Sequence, residues 1–292
     1  MRNKHLFTGI ACIATTMFCE LAMANPDVTS REYKRLLDPT LFTYNTESTK
    51  VANYFSAFET VVEAAISRDV TGSLSLDKVR TVKFFDTSGS CQLNALGYVF
   101  RERIENGNSE VTLKFRSQDR YISDFEDLSS ATSGAETKLE ADWGINSAGY
   151  KIVYGHSTKA PNTRTINDFK DINTHYPGFE NDYGFNDNLA LDLVGNLTIH
   201  ERVYKGAEID LGSIDAEVSI TLWYTSSPSG SQSPFIAEAS FKYEDPSADY
   251  TQKVVKRAKA AFDSLLTLDS WNELGSTTKT QSVYQYNSNF CN

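Results

Sequence analysis

The chain has 292 residues, 40% of them hydrophobic and 23% charged, with a formal net charge of −10. That length buries a sizeable core in one or two domains, and that charge excludes the broad basic footprint that nonspecific nucleic-acid binding requires. It does not exclude a local cationic cavity, because low-dielectric walls focus a field of either sign.

Arg2 and Lys4, the apolar run Leu6 to Phe18, and Ala22-Met23-Ala24 read as a secretory signal peptide over residues 1–24. The run is short for a bilayer span, and no later stretch is apolar enough for one. The expected product is a soluble protein of residues 25–292, exported to a periplasmic or extracellular space. Cys12 and Cys19 leave with the signal, and Cys91 and Cys291 remain. Two cysteines in an oxidising compartment predict one disulfide between them.

Ser30 to Leu37 alternates as a first strand, with Ser30, Glu32, Lys34 and Leu36 on one face. Residues 46–68 predict a helix: Val51, Tyr54, Phe55, Phe58, Val62 and Ala65 recur at helical spacing, with Asn45 as its cap and Glu47 at its positive end. Three strands follow. Val79 to Phe85 ends in Asp86-Thr87-Ser88-Gly89, Gly97 to Ile104 ends in the hairpin signal Asn106-Gly107, and Glu110 to Arg116 completes the set. Alternation puts Arg101 and Arg103 on one face of the second, and Thr112, Lys114 and Arg116 on one face of the third. A half-buried sheet with a solvated basic side has the same pattern.

Residues 128–135 read as a flexible connection, Lys138, Glu140 and Asp142 alternate on a strand, and Tyr150 to Tyr154 adds another. Residues 156–196, rich in Asn and Asp and broken by Pro161 and Pro177, read as a long insertion or lid. His156, His175 and His200 have no metal-ligand spacing. Leu197 to Tyr204 predicts a strand with Arg202 beside His200 and Tyr204 on one face. Ala216 to Tyr224 and Phe235 to Tyr243 predict two more, the latter grouping Ile236, Glu238, Ser240 and Lys242. Asp245 and Pro246 predict the start of a second long helix, and Thr277 to Tyr284 a final strand.

Phe85-Asp86-Thr87, Phe100-Arg101-Glu102-Arg103 and Val111-Thr112-Leu113-Lys114 stand in the order of the first half of the CYTH, or triphosphate tunnel metalloenzyme, superfamily. The chain resembles that superfamily over residues 29–285, interrupted at 156–196. The resemblance implies an α+β fold in a single domain: an antiparallel, mostly closed β-barrel with flanking helices, its basic face turned inward onto a polyphosphate. It implies phosphate binding by Lys34, Arg101, Arg103, Lys114, Arg116, Arg202 and Lys279. It also implies Mg²⁺ or Mn²⁺ on Glu32, Glu140 and Glu238, with Glu32 catalytic; hard oxygen ligands suit either ion. Two of the family's carboxylates are missing. Its Glu-x-Glu-x-Lys opening reads Ser30-Arg31-Glu32-Tyr33-Lys34, and its later Glu-x-Glu reads Glu238-Ala239-Ser240. Two functions therefore stay open. One is a weak, metal-dependent phosphohydrolase acting on an inorganic or organic triphosphate. The other is a non-catalytic binding module for a phosphorylated or other anionic small ligand. No phosphate-binding glycine loop, nucleophile elbow or Cys-x-x-Cys occurs.

Overall fold

The computed structural model describes residues 27–146, 149–273 and 278–292. The signal peptide read at 1–24, and Thr277 at the start of the predicted last strand, lie outside them. Ten strands are present among the described residues: β1 (Val28–Leu37), β2 (Val70–Asp86), β3 (Tyr98–Glu105), β4 (Asn108–Ser117), β5 (Glu136–Asn146), β6 (Gly149–Asn162), β7 (Asp192–Leu193), β8 (Ile199–Asp210), β9 (Asp215–Tyr224) and β10 (Ile236–Glu244). They pair in the order β3-β4-β6-β5-β1-β10-β9-β8-β2, and β2 then pairs with β3, which closes the sheet into a ring. The 17-residue β2 makes the closure. Its first part, from Val70 to Val82, lies on β8, and its last part, from Thr81 to Phe85, lies on β3. Every ring pairing is antiparallel except one: β1 runs parallel to β5. Parallel neighbours need a long connection, and residues 38–135, with β2, β3 and β4 among them, lie between these two strands.

Closure gives each strand an inner and an outer face, and the two are dressed differently. Outside, α1 (Glu47–Ile66) and α6 (Gln252–Ser264) pack on β1, β10, β9 and β8 through Tyr33, Phe58, Ile220, Phe241 and Phe262. The segment 156–196 packs on the ring. It finishes β6, then forms α4 (Phe169–His175), α5 (Pro177–Tyr183) and β7, and its Phe169, Tyr176 and Phe179 cover the outer residues Phe100, Val111 and Leu113. No helix among the described residues is long and apolar enough to cross a membrane.

One end of the ring is filled. Val82, Phe84, Val99, Ile199, Trp223 and Ile236 pack there against Val283 and Tyr284 of the C-terminal helix α7 (Lys279–Tyr286) and against Phe290. The Asp86-Thr87 turn holds this packing in place. Asp86 is fully buried; its Oδ1 accepts from the N–H groups of Thr87 and Leu93, and its Oδ2 accepts from Asn94 N–H and from the Tyr284 hydroxyl at 3.0 Å. Cys91 is bonded to Cys291, with their Cα atoms 5.1 Å apart, and Gly89 N–H donates to Phe290 O.

Three local expectations are corrected. The last element is a helix, capped by Thr278 Oγ1 accepting from Gln281 N–H, and not a strand. Ser/Thr caps compete well for short polar segments once an apolar face such as Val283–Tyr284 has somewhere to pack. Asp245 closes a turn onto Ser247 instead of starting α6, whose cap is Thr251. The cap position of α1 is Thr46 and not Asn45, while Glu47 stands in the first turn as expected, buried and accepting from the hydroxyls of Tyr204 and Tyr224, each at 2.7 Å. The Asn106-Gly107 hairpin is as expected, with both residues at positive φ.

The Cys91–Cys291 bond spans 200 residues, for which the chain-entropy treatment gives about 5 kcal/mol as an upper figure. Replacing both cysteines by serine should cost about 2–4 kcal/mol in a urea titration. A non-reduced peptide map should contain the cross-link; alkylatable thiols at both positions would contradict it.

Candidate functional site

The inner face of the ring surrounds a cavity of about 790 Å³. Eleven Lys or Arg side chains and eight Glu side chains line it, a local excess of cations inside an acidic chain. Strand registry makes this concentration: residues directly opposite on paired strands share a face. Lys34 lies opposite Ser240, Arg101 opposite Thr112, and Glu201 opposite Trp223.

Charge is neutralised unevenly. Lys34 Nζ bridges Glu32 at 2.9 Å and Asp142 at 3.0 Å. Burial alone would push its ammonium down, but Asp142, Glu32 and Glu140 outweigh that and hold it well above the ordinary lysine value. Lys114 contacts Glu140 and lies 3.2 Å from Asp142. There burial wins, and the ammonium is pulled below the ordinary value. Burial opposes ionisation of Glu140 too, but Lys114, Lys138 and Lys34 hold its carboxyl well below the usual range. Deeper in, Glu201 is almost fully buried and accepts from Arg80 Nε at 2.6 Å and Trp223 Nε1 at 3.2 Å, with Arg103 Nε at 3.6 Å. The two guanidiniums overcome burial and depress its carboxyl far below normal.

Two guanidiniums are left without such partners. Arg101 reaches only Thr112 Oγ1 at 3.4 Å, and Arg116 only Thr280 Oγ1 at 3.4 Å; neither pairs with a carboxylate among the described residues. The Nε of Arg101 is shielded from solvent and unpartnered. Burial, and then the neighbouring Arg103, destabilise its charge. A guanidinium does not shed its proton in a protein, so Arg101 keeps its positive charge on the cavity wall with no carboxylate partner among the described residues.

The sequence-predicted residues divide clearly. Glu32, Lys34, Arg101, Arg103, Lys114, Arg116, Glu140, Glu238 and Lys279 all line the cavity. Arg202 does not. It lies on the outer face, paired with Glu47 and stacked on Tyr44 at 5.0 Å, while its neighbours Glu201 and Val203 point inward. Glu238 is inside but is occupied by Lys279 Nζ at 2.7 Å. The acidic group that does converge is Glu32, Glu140 and Asp142, each offering a carboxylate oxygen within 4.8 Å of the others. Three hard oxygen donors fit Mg²⁺ or Mn²⁺, although Lys34, Lys114 and Lys138 hold the same carboxylates. Ser30 is buried beside Glu140 in register, and Ser240 Oγ lies 3.0 Å from Ser219 Oγ. Arg80, Glu201 and Asp142 belong to the cavity's charge networks, and motif reading did not single them out as site residues. Gly155 has a specific part: a Cβ there would meet Lys114 Cε at 2.3 Å, so its bare backbone makes the room Lys114 occupies.

No protein-family model and no curated protein matches the sequence. Solved structures do. A candidate adenylyl cyclase from Hippeastrum, described as having a dominant triphosphatase activity, is 13% identical with a TM-score of 0.42, over 88% of this chain and 95% of that one. A candidate adenylate cyclase from Bacillus halodurans is 14% identical with a TM-score of 0.38, over 87% and 97%. A Pyrococcus horikoshii protein is 10% identical with a TM-score of 0.35, over 88% and 99%. These are likenesses of chain path, and they bring no chemistry with them; that has to come from the side chains of the cavity.

Glu201 gives a direct test of the inner charge balance. Removing one member of a buried ion network strands the others, at roughly 3–5 kcal/mol. Glu201→Ala should therefore destabilise the fold by about that amount in denaturant titration, leaving Arg80 and Arg103 uncompensated. The folded-state value of its carboxyl is depressed, so its stabilisation is complete above the unfolded value near pH 4.3 and drains away as pH falls below it. Between about pH 4.5 and 3 the wild type should lose stability more steeply than Glu201→Gln. Gly155→Ala should displace Lys114 and weaken any anion binding in the cavity, as read by a thermal-shift titration.

Proposed function

We propose that this is an exported, metal-dependent phosphohydrolase that takes an inorganic or organic triphosphate into the ring. Lys34, Arg101, Arg103, Lys114 and Arg116 hold its phosphate oxygens. The observation behind this reading is the recessed Arg101 guanidinium, with Arg116 likewise lacking a carboxylate, in a cavity otherwise balanced by ion pairs. Planar guanidiniums bind phosphate through paired N–H donors, more tightly than neutral donors do. A ligand of several linked phosphates matches several cations spread along a cavity; a single carboxylate does not. The motif resemblance points the same way.

Glu32, Glu140 and Asp142 would hold the divalent cation. Bound there, it would neutralise charge on the transferred phosphoryl group and orient water. The chain's own residues supply the rest. Lys34 and Lys114 pair with the acidic group, so incoming phosphate oxygens would compete with the carboxylates for the same ammonium protons. Each lysine that turns to phosphate leaves a carboxylate unpaired and available as a ligand.

A non-catalytic binding module is the second reading, favoured by Ser30 and Ser240. Hydroxyls at these positions confine the acidic group to one side of the cavity and leave Glu238 alone with Lys279.

Tripolyphosphate separates the two. It should raise the melting temperature more than sulfate at equal ionic strength, with about 2.7 kcal/mol of apparent stabilisation at a hundredfold excess over Kd. Arg101→Ala with Lys114→Ala should abolish that shift. Phosphate release with Mg²⁺ or Mn²⁺, measured colorimetrically, should be slow, absent with chelator, and lost in Glu32→Gln while binding persists. Binding without release above the Glu32→Gln level, with every metal tried, would establish the binding module; no binding at all would sink both readings.

A further inference from the structure

The walls of the cavity differ in chemistry across its width. β3 and β4 present Arg101, Arg103, Lys114 and Arg116. Round the ring from there, β6, β5 and β1 lie on one side and β8 and β2 on the other, so β9 and β10 stand across from them. At mid-depth those two strands present hydroxyls, Ser219 and Thr221 from β9 and Ser240 from β10. Registry brings the three together: Ser240 lies opposite Ser219, and Glu238, two residues before Ser240, lies opposite Thr221. Lys242 and Glu217 bound the patch on one side. On the other lies the floor, the filled end of the ring, with Trp223 and Ile236.

These hydroxyls have almost no partners. Ser219 and Ser240 share one hydrogen bond, 3.0 Å between their Oγ atoms, and neither side chain has another partner among the described residues. Thr221 Oγ1 has none among them, although the residue is only 7% exposed. A polar group removed from water without a partner is costly. Each hydroxyl both donates and accepts. The charges around the patch offer nothing to a second row of phosphates. Lys205 is held by Glu217 at 2.6 Å, Lys242 by Glu244 at 3.0 Å and Lys279 by Glu238 at 2.7 Å. The group that fits this wall is neutral and gives as well as takes hydrogen bonds. An alcohol does both, whereas an ionised phosphate oxygen only accepts.

Size points the same way. The cavity of about 790 Å³ lies within the roughly 300–1,000 Å³ of sites that enclose whole organic ligands. A linear inorganic chain lying along Arg101, Lys114 and Arg116 leaves the hydroxyl wall to water. A ligand that spans the ring satisfies both walls.

We infer that the cavity takes a phosphorylated polyol, with its phosphate groups on the cations of β3 and β4 and its free alcohols on Ser219, Thr221 and Ser240. The inference rests on the anion-binding part of the reading above and narrows the organic part of the ligand. The serines and the threonine are then specificity determinants that the phosphate groups do not need.

The experiment compares myo-inositol trisphosphate with tripolyphosphate by calorimetry and thermal shift on the full chain with its disulfide intact. The two probes carry the same number of phosphorus atoms, and only the first has free alcohols. Wild type should bind the inositol phosphate at least as tightly as tripolyphosphate. Combining Ser219→Ala, Thr221→Val and Ser240→Ala should weaken the inositol phosphate about tenfold, or about 1.4 kcal/mol, and leave tripolyphosphate within about twofold. Arg101→Ala should weaken both probes. Equal losses for the two probes in the triple variant, or no loss for the inositol phosphate, would overturn the inference while leaving the anion site standing. Weaker wild-type binding of the inositol phosphate than of tripolyphosphate would overturn it too, and that comparison needs no variant to fold. Failure of both probes to bind wild type would overturn the anion-binding reading itself and the inference with it.

Discussion

Burying charge inside a closed ring governs much else in this structure. A charged side chain removed from water is costly unless it is paired and hydrogen-bonded. The buried ones among the charged side chains around the cavity are forced into networks: Lys34 between Glu32 and Asp142, Lys114 against Glu140 and Asp142, Arg80 and Arg103 on Glu201. The outer faces have to be apolar for the ring to exist at all, and they are, under α1 and α6 on one side and α4 and α5 on the other. The helices do not reach the cavity, with one exception. α7 belongs to the inside, and it brings Lys279 and Thr280 with it.

Strand alternation made most of this legible. Arg101 with Arg103, and Lys114 with Arg116, occupy the faces that a period of two assigns them, because the opposite parity in β3 and β4 is filled by Tyr98, Phe100, Val111, Leu113 and Phe115 and leaves no doubt which side meets a core. β8 offered no such contrast. His200, Arg202 and Tyr204 on one parity, and Ile199, Glu201 and Val203 on the other, each mix one or two apolar residues with a charge. The buried acceptor that decides the matter, Glu47, comes from a helix about 150 residues earlier in the chain. Distance in sequence also hid the acidic group. Asp142 stands two residues from Glu140 and shares its face, but its relevance depends on β5 lying parallel to β1, with Glu32 opposite Asp142. No local pattern announces a parallel pairing. α7 was misread because Lys279 to Tyr284 is short and polar, with little intrinsic preference, and takes its conformation from the apolar floor it covers.

The Asp-Thr turn illustrates how a motif can be recognised correctly and still act elsewhere than its neighbours in sequence suggest. Asp86 faces no cavity. It gathers the amides of α2 (Gln92–Ala95) on one side and the Tyr284 hydroxyl on the other, while the Thr87 hydroxyl accepts from Gln92 N–H. Its work is to fix the loop that bears Cys91, and through Cys91 and Tyr284 to fix the floor. The turn, the disulfide and the C-terminal helix are therefore one structural unit, even though they lie at opposite ends of the folded sequence.

The two serines at carboxylate positions of the resembled motif have an electrostatic consequence that bears on both functional readings. Each glutamate replaced by serine removes one negative charge from the neighbourhood of the cavity. With Asp142 counted, eleven cations face nine carboxylates, an excess that two further glutamates would cancel. Loss of metal-type ligands and retention of an unsatisfied anion site are thus the same change seen from two sides. It also orders events. With no ligand present, Glu32, Glu140 and Asp142 are engaged by lysines, so a dication approaching first meets carboxylates whose charge is already compensated. A polyphosphate approaching first would find Arg101 and Arg116 held only by threonine hydroxyls at 3.4 Å, with no carboxylate among the described residues to displace. Only then do Lys34 and Lys114 have a better-charged partner than the carboxylates they hold. On the proposed reading, anion binding would precede and enable any metal site, and hydrolysis would depend on phosphate affinity.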